Sequence, residues 1–141
     1  MNMEYNVGFT KATENMEKYF IEGRGYGVLI SPGYGFEFSA RMRNQSIAID
    51  KRVIEAAYEC ADAVVPCNSW GTDFDDLRGF DTEKFSKMLV ELDYFEDDGE
   101  PLYVTGNFIV EFLKEGTMFK IAEYDGSEHI EIFDPTEWIQ L

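Results

Sequence analysis

Basic residues, histidine, cysteine and long apolar runs are all scarce in this 141-residue chain, and each scarcity narrows what it can do. Twelve Lys and Arg face 28 Asp and Glu, a formal net charge of −16. Nucleic-acid binding draws most of its affinity from cations set against phosphates, so this balance opposes it, and it equally opposes docking on anionic lipid. The single histidine, His129, offers little to a His-based catalytic or metal centre. Two cysteines, Cys60 and Cys67, fall short of a disulfide framework, and a reducing, cytoplasmic setting is expected. The apolar runs, such as Val28-Leu29-Ile30 and Phe108-Ile109-Val110, are far below the roughly 20 residues that span a bilayer. Residues 1–6 show neither the basic nor the apolar region of a secretion signal.

What is plentiful is aromatic and acidic. Twelve Phe, 8 Tyr and 2 Trp within a 45% hydrophobic composition supply a core, unlike a disordered chain of high charge. The length suits one domain, 1–141, burying about 70% of its unfolded surface. The charge is lopsided. Residues 1–72 hold 9 acids and 7 bases, whereas residues 73–141 hold 19 acids and 5 bases. Asymmetry of this kind bears on partners and solubility rather than on fold.

Along the chain, residues 10–22 read as a helix capped by Thr10 or Thr13, with Ala12, Met16, Tyr19 and Phe20 on one face and Gly23 as its stop. A hairpin follows, Val28-Leu29-Ile30 and Phe36-Glu37-Phe38 about a turn at Ser31-Pro32-Gly33. A second helix starts at the N-cap Asp50, carries Val53, Ala57, Ala61 and Val64 on its stripe, and ends at Pro66. Residues 66–80 read as a polar loop. The third helix has Asp81 as N-cap and Phe80 and Phe85 at hydrophobic-staple spacing, then Met88, Leu89 and Leu92.

Residues 93–100 form an acidic turn closed by Pro101, after which the pattern becomes β. Tyr103-Val104-Thr105 and residues 108–113 read as strands, although 107–116 also suit a short capped helix. Residues 119–124 and 130–133 flank Asp125-Gly126, a strong hairpin signal. A two-residue turn there sets Ile121 against Ile130, Phe119 against Ile132 and Lys120 against Glu131, at the cost of facing Glu123 with Glu128. Trp138 and Ile139 are expected to pack back on the sheet. The order gives an α+β fold with a mainly antiparallel sheet, an N-terminal hairpin plus a C-terminal meander, packed with about three helices.

Chemical motifs are few. Cys67 and His129 would make a dyad only if the fold joined them, and nothing local does so. Cys60, Cys67 and His129 lack zinc spacing. Two acidic runs, Asp73-Phe74-Asp75-Asp76 and Glu96-Asp97-Asp98-Gly99-Glu100, fail the EF-hand pattern. Counting back from Gly99 puts Tyr94 where the first Asp belongs, and Arg78 stands where the other run needs Gly. Gly23-Arg24-Gly25-Tyr26-Gly27 follows a helix and precedes a strand in this reading, the wrong order for a phosphate loop. Arg41, Arg43, Lys51 and Arg52 form one basic island, best read as pairing with the acidic half. No metal or cofactor is expected.

Charge and shape therefore lead the functional reading, that of an acidic protein-binding module. In size and charge the chain is similar to immunity proteins that neutralise nuclease toxins and to phage-encoded DNA mimics, a compositional likeness that carries over no residue. It implies an inhibitor that neutralises a basic protein partner, such as a toxin or nuclease, by electrostatic complementarity, without direct contact to nucleic acid or membrane. The alternatives are a DNA mimic or accessory structural domain, and a small enzyme with an unobvious carboxylate or Cys/His site. The expected contact is Asp93, Tyr94, Phe95, Glu96, Asp97, Asp98 and Glu100, with the two aromatics as anchors, and Asp73, Asp75 and Asp76 as second choice.

Overall fold

Alternation decides the centre of the molecule. In the computed structural model, which describes residues 16–33, 38, 45–69, 71–94, 107–124 and 127–133, the run Phe108–Leu113 (β5) buries Phe108, Val110 and Phe112 on one face. Ile109, Glu111 and Leu113 lie half-buried on the other. A strand that buries residues on both faces belongs inside a sheet. β5 accordingly pairs antiparallel with Gly25–Ile30 (β2) on one side and Thr72–Arg78 (β4) on the other. Phe20–Ile21 (β1) and Ala63–Ser69 (β3) complete the five strands, in the order β1-β2-β5-β4-β3. The helical alternative for 107–116 is thereby excluded.

Two helices cover one face. Lys51–Glu59 (α1) starts where the Asp50 carboxylate accepts the Arg52 N–H at 2.9 Å. Thr82–Glu91 (α2) starts where Asp81 accepts the Lys84 N–H at 3.0 Å. The expected staple is present, with the Phe80 and Phe85 rings edge-on at 5.1 Å. Val53, Ile54, Ala57, Phe85 and Leu89 meet Leu29, Leu77, Phe108 and Val110 in the main core, where Phe38 also lies edge-on to Phe108.

Met118–Tyr124 (β6) and Ser127–Phe133 (β7) form a separate two-stranded sheet across the other face. Ile121, Phe119 and Ile130 pack on Val28, Ile30, Ile109, Leu113 and Ala48 to make a second core. The register is the expected one in every pair, from Phe119 against Ile132 to Glu123 against Glu128. Asp125 and Gly126 themselves lie outside the described residues. The like-charge pair is relieved because Glu128 turns inward. Its carboxylate accepts the Ser31 N–H and its own N–H donates to the Ser31 carbonyl, both at 2.9 Å, which laces β7 to the end of β2. The fold is thus α+β with a mainly antiparallel sheet.

Several expectations are corrected. Among the described residues there are two α-helices, and a 3₁₀ turn at Gln45–Ala48, rather than about three helices. Over residues 16–22 the first helix is absent, its remainder lying outside the described residues. Instead Phe20 pairs with Tyr26 and Ile21 with Gly25, in a turn made possible by Gly23 at φ 88°. The capped second helix stops at Cys60, and the stretch from Ala63 on is strand. Pro66 sits inside β3 without disrupting a central ladder because β3 is an edge. The supposed loop 66–80 is the β3–β4 hairpin, with Ser69 against Thr72 and Gly71 at φ 78° in its connection. Within the described sheet β2 is flanked by β1 and β5 rather than by residues 36–38. Phe36 and Glu37 lie outside the described residues, and Phe38 is buried without strand pairing. Tyr103, Val104, Thr105, Trp138 and Ile139 also lie outside them.

Candidate functional site

The glycine-rich stretch 23–27 builds a lock rather than a phosphate loop. Gly25, at φ 106°, lies so close to β5 that a Cβ would run into the Leu113 carbonyl, and a Cβ on Gly27 would meet Tyr19 and Val110 at 3.0 Å. The bare backbone lets Tyr19 and Phe112 close over it and brings Arg24 down onto β4. There Arg24 forks twice. Its Nε and Nη2 donate to Asp73 at 3.0 and 2.7 Å, and its Nη1 and Nη2 to Asp75 at 3.0 Å each. The guanidinium also stacks 3.8 Å from the Phe112 ring centroid. Tyr58 on α1 donates its hydroxyl to Asp75 at 2.6 Å. With four of its five donors committed to carboxylates, Arg24 has a single N–H left, too little to fork onto an anion.

Titration follows from that geometry. Hydrogen bonds from Arg24 hold the Asp73 carboxyl below its usual range, and the bonds to Asp73 and then Asp75 keep the guanidinium charged. Burial, then the bond to Asp75, pushes the Tyr58 hydroxyl well above its ordinary value. Tyr19 is raised by burial and by Asp75 and Glu55.

A second node is Asp50, fully buried. Besides capping α1, its carboxylate accepts Arg52 Nη2 at 3.0 Å and the Tyr94 hydroxyl at 2.7 Å. Asp93, at φ 64°, turns the chain out of α2 and sends Tyr94 inward. Burial first, and the bond to Asp50 second, raise the Tyr94 hydroxyl far above its normal value.

The structure separates the residues singled out by sequence. Tyr94 is 5% exposed and bonded internally, so it is a buried root for the acidic residues that follow it in sequence and not an exposed anchor. Asp93 is exposed at the surface. Phe95, Glu96, Asp97, Asp98 and Glu100 lie outside the described residues. Asp73 and Asp75 are held by Arg24, and Asp76 pairs with Arg78 at 3.1 Å, so this second-choice trio serves the sheet. His129 stands opposite Ala122 as expected, exposed, with Nε2 3.4 Å from Glu131. Cys60 is buried beside the Met88 sulfur, its thiol raised by burial, while Cys67 donates to the Val65 carbonyl. Of the basic island, Lys51 pairs with Glu17 and Arg52 with Asp50, and Arg41 and Arg43 lie outside the described residues.

One residue escaped the sequence reading. Glu111 is half-buried in central β5, between Val28 on β2 and Phe74 on β4, and burial alone raises its carboxyl above the ordinary range. Its signal was a lone acid within the apolar run Phe108–Leu113. Among the described residues its carboxylate has no ion pair and accepts no hydrogen bond, whereas Asp50, Asp75 and Glu128, the buried carboxylates there, are all bonded. The Cys67 thiol lies two strands away, at roughly 10 Å by strand spacing, too far to form a catalytic pair with it. Compared with known proteins, the chain matches no family model, no curated protein and no solved structure.

Proposed function

We propose that this chain is an acidic protein-binding module of the immunity or inhibitor type, which neutralises a basic protein partner such as a nuclease toxin by electrostatic complementarity. One observation carries the reading. Of the nine cations among the described residues, Arg24, Lys51, Arg52, Arg78, Lys87 and Lys120 each pair with a carboxylate of this chain, whereas Lys18, Lys84 and Lys114 make no ion pair there. Glu22, Glu55, Glu59, Asp62, Glu91, Asp93 and Glu115 are meanwhile exposed and carry no ion pair among the described residues. Pairing leaves the net charge of −16 unchanged, and these seven exposed acids stand against the three unpaired lysines. Such a field steers a basic partner, raising association rates toward about 10⁸–10⁹ M⁻¹s⁻¹ at low salt.

The acids Asp93, Glu96, Asp97, Asp98 and Glu100, with Phe95, remain the proposed contact, following directly on the Tyr94 root. The test begins with affinity capture from the native host, followed by association kinetics against ionic strength. A basic partner with an on-rate that falls steeply with salt supports the reading, and a captured partner that is not basic overturns it. Reversal of Asp97, Asp98 and Glu100 to Lys is expected to preserve the fold and to weaken binding at least tenfold, about 1.4 kcal/mol or more. Unchanged affinity and on-rate would remove the contact from this segment.

A further inference from the structure

The large sheet ends on two unlike edges. β1 is two residues long, too short to template another strand, whereas β3 runs for seven, and among the described residues nothing pairs with its outer flank. Ala63, Val64, Pro66, Asn68 and Ser69 are exposed along it, Val64 by 41%. A strand edge of this kind offers free N–H and C=O groups to any second strand, and proteins blunt such edges with charge, brevity, bulges or proline. In a chain with 28% charged residues, Ala63–Ser69 carries no charge at all. Short, uncharged segments with β-branched residues pair readily with copies of themselves, and this one is interrupted only by the proline at its centre.

The phase of the β3–β4 ladder fixes which way that proline faces. Ser69 stands opposite Thr72 across a two-residue connection, so these two form a hydrogen-bonded pair. Bonded and non-bonded pairs alternate along an antiparallel ladder, which puts Cys67, Val65 and Ala63 in bonded pairs with β4. Val64, Pro66 and Asn68 fall between them, their backbone groups directed away from β4 to the open flank. Pro66 therefore takes no bond from the hairpin, and its missing N–H is missing on the outside only. A second copy laid antiparallel along this flank and centred on Pro66 would set Val64 against Asn68 of that copy and Pro66 against its own counterpart. Both hydrogen bonds of the central pair are then impossible, and the two rings hold the strands apart. Sliding by one bonded pair only moves the loss, since Pro66 then faces Val64 or Asn68 of the other copy.

We infer that Pro66 is an edge guard, which keeps a second copy of this chain from adding to the large sheet along β3. The net charge of −16 also holds copies apart, but salt screens that repulsion over about 10 Å at 0.1 M, whereas an absent N–H is not screened. The guard stands apart from the basic-partner reading and does not depend on it.

The test is Pro66→Val in the full chain at about 0.15 M salt, where surface repulsion is largely screened. Sedimentation velocity is measured from micromolar to millimolar concentration, with amide hydrogen exchange read at Val64 and Asn68. Valine restores the outward donor. It is expected to give a concentration-dependent doubling of mass, with exchange at both amides slowed at least about tenfold as the dimer forms, while wild type shows no such protection. Moving the proline to the next outward position, in Pro66→Val/Asn68→Pro, is expected to return wild-type sedimentation, with the far-ultraviolet spectrum unchanged in both variants. A Pro66→Val chain that gains no protection at Val64 and Asn68 over this range, whether it stays monomeric or associates elsewhere, would overturn the guard. So would loss of the native spectrum in Pro66→Val, wild-type dimers that already protect those amides, or a double variant that associates as readily as the single one.

Discussion

Replacing Arg24 with Leu tests the lock on which β1, β2, β4 and α1 converge. The change removes four charge-assisted hydrogen bonds and the stacked cation, and leaves Asp73 and Asp75 side by side. The two arms are not equivalent. Asp73 is 37% exposed, so water replaces Arg24 there at little cost, roughly 0–1 kcal/mol. Asp75 is 6% exposed, and stranding a buried charge costs about 3–5 kcal/mol. Arg24 is itself 25% exposed, and Tyr58 still donates to Asp75, which together bring the expected total to about 3 kcal/mol. For a chain of this length that is a loss of roughly 10 °C in Tm. The assay is urea and thermal denaturation followed by circular dichroism. The double variant Arg24→Leu/Asp75→Asn removes the stranded charge and is expected to recover about 1–2 kcal/mol. An Arg24→Leu midpoint within error of wild type, or strictly additive effects in the double variant, would refute the lock.

Tyr94→Phe deletes a buried bond to a carboxylate and is expected to cost about 1.5–2 kcal/mol in the same denaturation assay, with an unchanged far-ultraviolet spectrum. In alkali, the raised Tyr58 and Tyr94 hydroxyls contribute stability that is whole below their ordinary value near pH 10 and is lost as the pH climbs toward their folded values. Their tyrosinate absorbance should therefore appear only together with loss of structure, and early ionisation of every tyrosine in an intact fold would contradict this. Gly25→Ala, which combines φ 106° with a collision at the Leu113 carbonyl, should destabilise by roughly 2 kcal/mol or more, whereas Gly23→Ala, strained at φ 88° but in open space, should cost about 1 kcal/mol by urea midpoint.

What the sequence made legible was local. Asp50 and Asp81 as caps, the Phe80–Phe85 staple and the whole β6–β7 register depend on residues within a turn or a hairpin of each other, and the structure has them all. What it hid depended on distant partners. Asp73, Asp75 and Asp76 resemble a solvated loop until Arg24, 49 and 51 residues away from the first two, makes carboxylates tolerable on an internal strand. Pro66 reads as a helix stop, and only the strand order shows it on an edge. Tyr94, set in a run of acids, looked exposed because its acceptor Asp50 lies 44 residues back. The helix drawn through Tyr19 and Phe20 had the right apolar spacing, but their partners, Phe112 and Tyr26, demand an extended chain.

The central place of β5 also sets the order in which this chain can assemble. β2 and β4 are separated by more than forty residues and never touch as neighbours. Each waits for Phe108–Leu113 to arrive between them, some eighty residues after β2 has left the ribosome. Until then Gly25–Ile30, whose last four residues are all buried in the finished fold, has an unpaired flank, while the β3–β4 hairpin can close at once. Closing so long a loop is entropically costly and slow, and a waiting apolar strand is a seed for aggregation. The dense negative charge of the later half gives nascent chains a reason to repel one another during that wait.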